Sequence, residues 1–469
     1  MKNRKNQNRR EFLKETALSA AGLMIVPRHV IGGKGFTAPS DMVNIAIIGA
    51  GGQSMYSIRE LAKLNDARII SIADPAEHWE NDILYSTDTG RGPVKKFIES
   101  QYKEKIPNYK ISEYVDFREM LKKEKAIDAI VCASPDNTHA YISIYSMKAG
   151  KHVYCEKPLT HNIREAREIN RVAKETGLAT QMGNQLHSTD TIRQTVEYLR
   201  GGVIGTVREA HAWVSATRWL PFLSGFPKES TPVPGNFNWD LWLGPTGFRP
   251  YNKMYTPVKW RDFWDFGCGA LGDFGCHDMD AAAWAFNLSS PDTVQVFPAG
   301  NRGSKDIAPY GEIGYYNFSA RGEQAPLKLT WYSGGLLPDI PESVPGDLKL
   351  SGRGAMYVGD KGVIITNGGA STPPLVFPEK LRKSATIPQP SLPRSKGHHR
   401  EWIDAVKGGV PAMSNFEYAS KLTEITLLGV LSLRLGGQKV YWDSEGMKAT
   451  GLSEADIFIS EPVRKGWEI

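Results

Sequence analysis

At 469 residues, 41% hydrophobic and 23% charged, the chain has the composition of a globular protein with material for about two or three domains. The net charge of +6 is modest, and part of it lies in five lysines and arginines among the first ten residues, ahead of the first acid, Glu11. No other dense basic run exists, which excludes nucleic acid as an implied partner, and no stretch of about 18 apolar residues predicts an ordinary membrane span.

The first 33 residues read as an export segment. Asn8-Arg9-Arg10-Glu11-Phe12-Leu13-Lys14 resembles the twin-arginine signal, and a mildly apolar run follows over residues 17–26. This predicts a periplasmic or otherwise exported protein. The alternative is a basic amphipathic N-terminal helix on a cytoplasmic one. Export by that route carries folded proteins, which suits a cofactor-loaded enzyme.

Residues 43–54, VNIAIIGAGGQS, pass from a buried apolar strand through a glycine turn into a helical pattern. That order opens a dinucleotide-binding unit. Gly49, Gly51 and Gly52 let the backbone approach a pyrophosphate seated on the helix N-terminus, beside Gln53, and Ser54 replaces the third glycine of the usual fingerprint. A second strand over residues 67–73 ends in Asp74, about 25 residues after Gly49. An acid there accepts the ribose hydroxyls and disfavours a 2′-phosphate, so NAD is favoured over NADP.

Residues 79–109 read as a polar insertion. A helix over 117–125 and a third strand over 127–133 follow. The strand ends in the loop Ser134-Pro135-Asp136-Asn137-Thr138-His139, at the carboxyl end where open α/β sheets bind ligands. A helix over 140–149 and a strand over 152–155 lead into Glu156-Lys157-Pro158. Proline stiffens this turn, and a lysine desolvated beside the crevice would have its pKa lowered toward neutrality. The alternative is a solvated surface lysine.

The glycine turn, Asp74, the 134–139 loop and Glu156-Lys157-Pro158, in this order, resemble the Gfo/Idh/MocA oxidoreductases, named for glucose–fructose oxidoreductase and inositol dehydrogenase. The resemblance is good over residues 43–300 and looser beyond. It implies an α/β Rossmann domain with a parallel sheet, followed by an α+β domain with a large open, mainly antiparallel sheet.

A strand over 179–184 closes the first sheet, placing Asn184 and Gln185 near the nicotinamide. The expected domains are 41–185 for NAD binding and 186–469 for substrate binding and oligomerisation. Residues 219–264 form a long loop rich in Pro, Gly and aromatics. Its flat apolar rings suit sugars, or they pack as an ordinary surface excursion. A helix opens at Gly269 and is expected to run through Phe286. Asp273 and His277, four apart, share one face of it. The pair reads as an acid–base arrangement, half a metal site or a cap. The resemblance assigns catalysis to Lys157, Asp273 and His277: His277 as base for the hydroxyl proton, Lys157 on the same oxygen, and Asp273 orienting substrate or histidine. No metal is assigned.

Strands are expected at 293–297, 312–318, 327–332, 355–358 and 363–366, then a Pro/Ser-rich linker at 372–395. His398 and His399 are adjacent and so unsuited to metal; one of them can line the substrate cleft. An apolar helix at 416–435 is expected to pack on the first domain, ahead of a polar tail. The four cysteines, Cys132, Cys155, Cys268 and Cys276, show no CxxC pattern and read as buried thiols.

The expected activity is NAD-dependent hydride transfer between nicotinamide and a secondary hydroxyl of a sugar, glycoside or polyol. The alternative is an NAD-dependent glycosidase using transient oxidation, elimination and re-reduction. A third reading is a non-catalytic sugar-binding protein. The resemblance also implies a homo-oligomer, dimer or tetramer.

Overall fold

Short, almost uninterrupted apolar runs build the first sheet, because a parallel strand covered by helices on both faces has no solvent side. The computed structural model describes residues 41–80, 88–299 and 305–469, so the export segment expected over residues 1–33 lies outside the described residues. Strands and helices alternate as β1 (Val43–Ile48), α1 (Gly52–Ala62), β2 (Ala67–Ala73), α2 (Arg91–Tyr102), β3 (Ser112–Tyr114), α3 (Phe117–Lys123), β4 (Ala129–Cys132), α4 (Asp136–Lys148), β5 (His152–Cys155), α5 (Ile163–Thr176) and β6 (Thr180–Met182). The sheet is parallel throughout, in the order β3-β2-β1-β4-β5-β6. The strand order reverses between β1 and β4, which opens a crevice at their carboxyl ends.

Two expectations change here. The polar insertion contains α2, whose buried Val94, Ile98 and Tyr102 form an apolar stripe on β2, making it the crossover helix to the unforeseen edge strand β3. The loop after β4 is shorter than expected. Pro135 caps α4, and Asp136 to His139 form its first turn.

The second part comprises α6 (Asp190–Arg200), β7 (Val207–Val214), α7 (Trp239–Leu243), α8 (Gly269–Asp278), α9 (Asp280–Ala285), β8 (Thr293–Ala299), β9 (Gly311–Phe318), β10 (Leu327–Tyr332), β11 (Arg353–Gly359), β12 (Val363–Asn367), β13 (Leu375–Phe377), α10 (Glu379–Ser384), α11 (His398–Val406), α12 (Phe416–Arg434), β14 (Val440–Asp443), β15 (Lys448–Ala449) and α13 (Asp456–Ile459). The nine strands run in the order β13-β12-β11-β7-β10-β9-β8-β14-β15, and every pair is antiparallel except β7 with β10. The expected single helix from Gly269 is two, α8 and α9, broken at Met279. The expected linker carries β13, which adds an edge to the sheet, and α10.

Helix α12 is buried almost all round, the pattern of a core helix rather than a surface one. It packs against α5 of the first part and against α8 and β8 of the second. Its Glu424 accepts from Arg167 Nη2 of α5 at 2.6 Å and from Ser290 Oγ at 2.5 Å. Val43–Ile469 thus forms one compact unit, with a continuous apolar core running between the sheets.

Candidate active site

Glycine is required where the crevice begins. Gly49 has φ +94°, and a Cβ there would stand 2.6 Å from the Ala133 carbonyl carbon and the Ser134 nitrogen. Its neighbour Gly51 is the N-cap of α1 and has no side chain, so no capping group stands between the start of the helix and an anion. Asp74 accepts Ala50 N–H at 2.6 Å through Oδ2 and Ala76 N–H at 2.7 Å through Oδ1. Each oxygen keeps a second lone-pair direction for a ribose hydroxyl. Burial raises its pKa to about 6 against those two amides. The helix start without a side-chain cap, the glycine turn and Asp74 at the end of β2 fit a dinucleotide.

These groups line a cavity of about 350 Å³, along with Gln53, Ser134, Pro135, His139, Glu156 and Lys157. The facing wall comes from Trp219, Trp242, Trp260, Arg261, Asp273 and Phe274, and Trp467 closes it from the tail. Asp273 reaches the cavity because α8 starts beside Pro158; a Cβ on Gly272 would meet that proline ring at 3.7 Å.

Lys157 donates to the Asp273 backbone carbonyl at 3.1 Å and to its carboxylate Oδ1. Burial opposes the ammonium, but the charge and hydrogen bond of Asp273 outweigh it, and the lysine pKa lies above its ordinary value. The expected lowering is therefore reversed: Lys157 is a cationic donor. Asp273 is disfavoured by burial, yet Lys157 and then Arg261, whose Nε is 3.9 Å from Oδ2, hold its pKa down to about 2.

His277 lies one turn along α8, behind the residues that line the cavity. No hydrogen bond joins its ring to Asp273 among the described residues, and its Nδ1 is buried without an acceptor. Burial, then Lys157 and Arg353, push its pKa well below the ordinary value, so the ring is neutral at pH 7. A neutral ring can accept a proton.

Of the remaining expected residues, His139 is held at the cavity wall and the others stand at one remove from it. Ser54 is buried and donates to Gly51 O at 2.7 Å, closing the first turn of α1. Asn137 turns away, donating to Leu243 O at 3.1 Å and Thr246 Oγ1 at 2.9 Å. Asn184 is fully buried, bonded to Asp280 Oδ2 at 3.0 Å and to Ser414 Oγ at 2.5 Å. Gln185 reaches Glu156 Oε1 at 3.1 Å. His139 lies between Pro158 O at 2.7 Å and Ser134 O at 2.8 Å, and burial lowers its pKa to about 4. Neither adjacent histidine lines the cavity: His398 bonds Met182 O and Ser188 Oγ, and His399 bonds Ser57 Oγ. All four cysteines are free and buried.

Most rings of the 219–264 loop pack on one another as a separate small core, with Trp239 stacked on Trp242 at 5.0 Å between centroids. Only Trp219, Trp242 and Trp260 among them reach the cavity. Among the lining residues that the sequence did not assign to the site are Asp136, Arg261 and Trp467. Asp136 accepts Cys268 N–H at 3.1 Å, and burial raises its pKa to about 6 although Arg261 opposes this. Arg261 itself lies over the Trp260 ring at 4.2 Å. The signals available were the place of Asp136 in the 134–139 stretch at a strand end and, for Arg261, a charge inside an aromatic, Pro-rich loop. Trp467, in the polar tail, offered none.

The chain is similar in sequence to a glycosyl hydrolase family 109 protein of Shewanella pealeana, 25% identical over 227 residues, or 45% of this chain and 47% of that protein. An α-N-acetylgalactosaminidase of Shewanella oneidensis is 23% identical over 232 residues, 46% of this chain and 47% of the relative. The chain thus spans about half the length of the curated relatives it matches. In fold it is similar to the WlbA dehydrogenase of Bordetella pertussis, solved with NADH and UDP-GlcNAcA: TM-score 0.58, 15% identity, 86% of this chain and 98% of that one. Residues 43–184 match the oxidoreductase family with an NAD-binding Rossmann fold, and residues 206–315 match the C-terminal alpha/beta domain of the same family. With more than half its length matched by these two domains in their proper order, the chain belongs to the Gfo/Idh/MocA oxidoreductase family.

Proposed function

We propose that the protein transfers hydride between nicotinamide and a secondary hydroxyl of a sugar, glycoside or polyol, with NAD rather than NADP as cofactor. The observation that carries this is the Lys157–Asp273 pair, set in the cavity that begins at the glycine turn. Bound NAD would supply the two-electron acceptor for the carbon that loses hydride. Lys157 donates a hydrogen bond to the hydroxyl oxygen and stabilises negative charge developing there. Asp273 keeps Lys157 protonated and aimed. His277, neutral at pH 7, takes the hydroxyl proton. Trp219, Trp242 and Trp260 offer flat faces to the apolar side of a sugar ring and exclude water.

A redox-neutral glycosidase is the second reading, favoured by the two hydrolase relatives and by Asp136. Oxidation, elimination and re-reduction move more protons than a simple dehydrogenation, and Asp136 is a further buried carboxyl in the same cavity. Purified protein incubated with candidate glycosides separates the readings, with NADH absorbance and sugar release followed together. Accumulating NADH with intact glycoside supports the dehydrogenase. Release of the aglycone without NADH supports the glycosidase. Mass spectrometry of the nucleotide retained on purification tests NAD directly.

Export by the twin-arginine route belongs to the same proposal and rests on residues 8–14. Replacing Arg9 and Arg10 together by Lys is expected to hold the protein in the cytoplasmic fraction. Self-association through the second sheet is proposed from its outer face, where Phe297 and Tyr441 are about half exposed.

A further inference from the structure

One carboxyl group in the cavity has no part in the proton transfers above. Glu156 is 4% exposed and follows β5 directly. Its Oε1 accepts from Gln53 Nε2 at 3.3 Å and Gln185 Nε2 at 3.1 Å. Its Oε2 is buried with no donor among the described residues. That oxygen lies over Gly183, where a Cβ would approach it to 2.5 Å. A buried oxygen of this kind is costly as an anion unless a positive charge comes near.

The surroundings supply one such charge permanently. Lys157, next in the chain, is the cation with the largest influence on Glu156, while its ammonium is bonded to Asp273. The titratable groups around it are Tyr154 and Cys155 on β5, Cys132 on β4, Tyr56 on α1, and His399 on α11, which stacks on Tyr154 at 4.8 Å. Burial keeps both tyrosines and Cys155 above their ordinary values, and it lowers His399 to about 3, so these remain neutral near pH 7. Burial likewise raises Glu156 itself to about 7, with Lys157 the main opposing influence.

In a doubly wound sheet the two halves divide a dinucleotide between them. Asp74 ends β2 in the adenosine half, whereas Glu156 ends β5 in the half that takes the nicotinamide. The oxidised nicotinamide ring is a cation and the reduced ring is neutral. We infer that Glu156 selects the oxidation state of the bound nicotinamide: its carboxylate favours the oxidised, cationic ring over the reduced, neutral one.

The inference rests on the NAD reading and goes beyond it. A cationic ring beside Glu156 lowers its proton affinity, so oxidised cofactor binds with release of a proton and reduced cofactor without it. Discrimination is therefore small when Glu156 is protonated and full when it is ionised. A cofactor held in its oxidised form is poised to accept hydride at the start of each turnover.

Calorimetric titration of the wild-type protein with NAD⁺ and with NADH tests this, in two buffers of different ionisation heat. Near pH 7 a fractional proton is expected to be released with NAD⁺ and none with NADH. The ratio of the NADH dissociation constant to that of NAD⁺ is expected to rise about tenfold between pH 5.5 and 8.5, the effect of one unit of linked pKa shift. In Glu156→Gln the ratio becomes independent of pH, through weaker NAD⁺ binding with NADH little changed. Equal proton counts for the two cofactors, or a Glu156→Gln loss shared equally by both, overturn the inference and leave NAD binding intact. If the variant does not fold, the wild-type proton count still decides. Wild-type protein that binds neither cofactor overturns both the inference and the NAD reading.

Discussion

Lys157 and Asp273 meet from segments more than a hundred residues apart, and each sets the other's charge. Replacing Asp273 by Asn leaves Lys157 exposed to burial and to Arg261, both of which lower its pKa. The alkaline limb of the kcat/KM profile is therefore expected to move to lower pH, with kcat reduced about 100-fold. Lys157→Ala is expected to lose about 100- to 10,000-fold with the fold retained, checked by circular dichroism and steady-state kinetics. His277 starts neutral, so acid inactivation attributable to it begins only well below pH 6.5. His277→Ala is expected to remove that limb along with most of the rate. Full activity in both Lys157→Ala and His277→Ala would overturn the assignment.

Among the helices, α12 carries the most packing. Gly429 lies where a Cβ would overlap the Tyr316 hydroxyl on β9. Gly429→Ala is expected to destabilise by about 1–3 kcal/mol, read from the urea midpoint. The break at Met279 has a visible consequence. It lets Asp280 start α9 facing His187, whose Nδ1 lies 2.9 Å from Oδ2, while Asp278 turns to Arg353 at 2.8 Å. A single continuous helix would be expected to disturb one of those contacts. The alanine-rich run after the break gives no warning of it, whereas Gly272, Gly275, His277 and Asp278 ahead of it are weak helix formers.

At the scale of the whole molecule, the tail returns to the first part. His161, just ahead of α5, contacts Glu461 at 2.8 Å. Burial disfavours the imidazolium, but Glu461 outweighs it and raises the His161 pKa to about 9, while His161 and Arg434 hold Glu461 at about 2 against burial. A raised histidine contributes stability that is full below about pH 6.5 and lost as pH rises through 9. A lowered glutamate contributes above about pH 4.5, and its contribution is lost as pH falls through 2. The stability gap between wild type and Glu461→Gln is thus expected to be widest between about pH 4.5 and 6.5 and to shrink as pH rises from there through 9. Further along, Trp467 packs on Tyr141 at 4.6 Å and under Arg118 at 4.7 Å. Trp467→Ala opens the cavity from that side and is expected to weaken nucleotide binding about tenfold, measured by fluorescence titration.

What was legible in the chain by itself was whatever local chemistry forces. Residues 43–48 can only be a buried strand, Gly49 can only be glycine where the backbone meets Ala133, and a lysine ahead of proline at a strand end marks a crevice. Strand positions such as Leu327–Tyr332 follow from alternation in the same way. Tertiary structure decided the rest, because it depends on which distant groups become neighbours. Burial alone argued for a lowered Lys157 pKa, and only the arrival of Asp273 reverses the sign. Asn137 and Asn184 look like ligand contacts by position, yet their side-chain NH2 groups donate to Thr246 and Asp280. The aromatic loop looked like a sugar platform, and most of its rings are a core of their own. Trp467 reached the cavity from a tail without any periodic pattern. Charge, burial and hydrogen-bond supply are properties of a neighbourhood, and the neighbourhood exists only once the chain is folded.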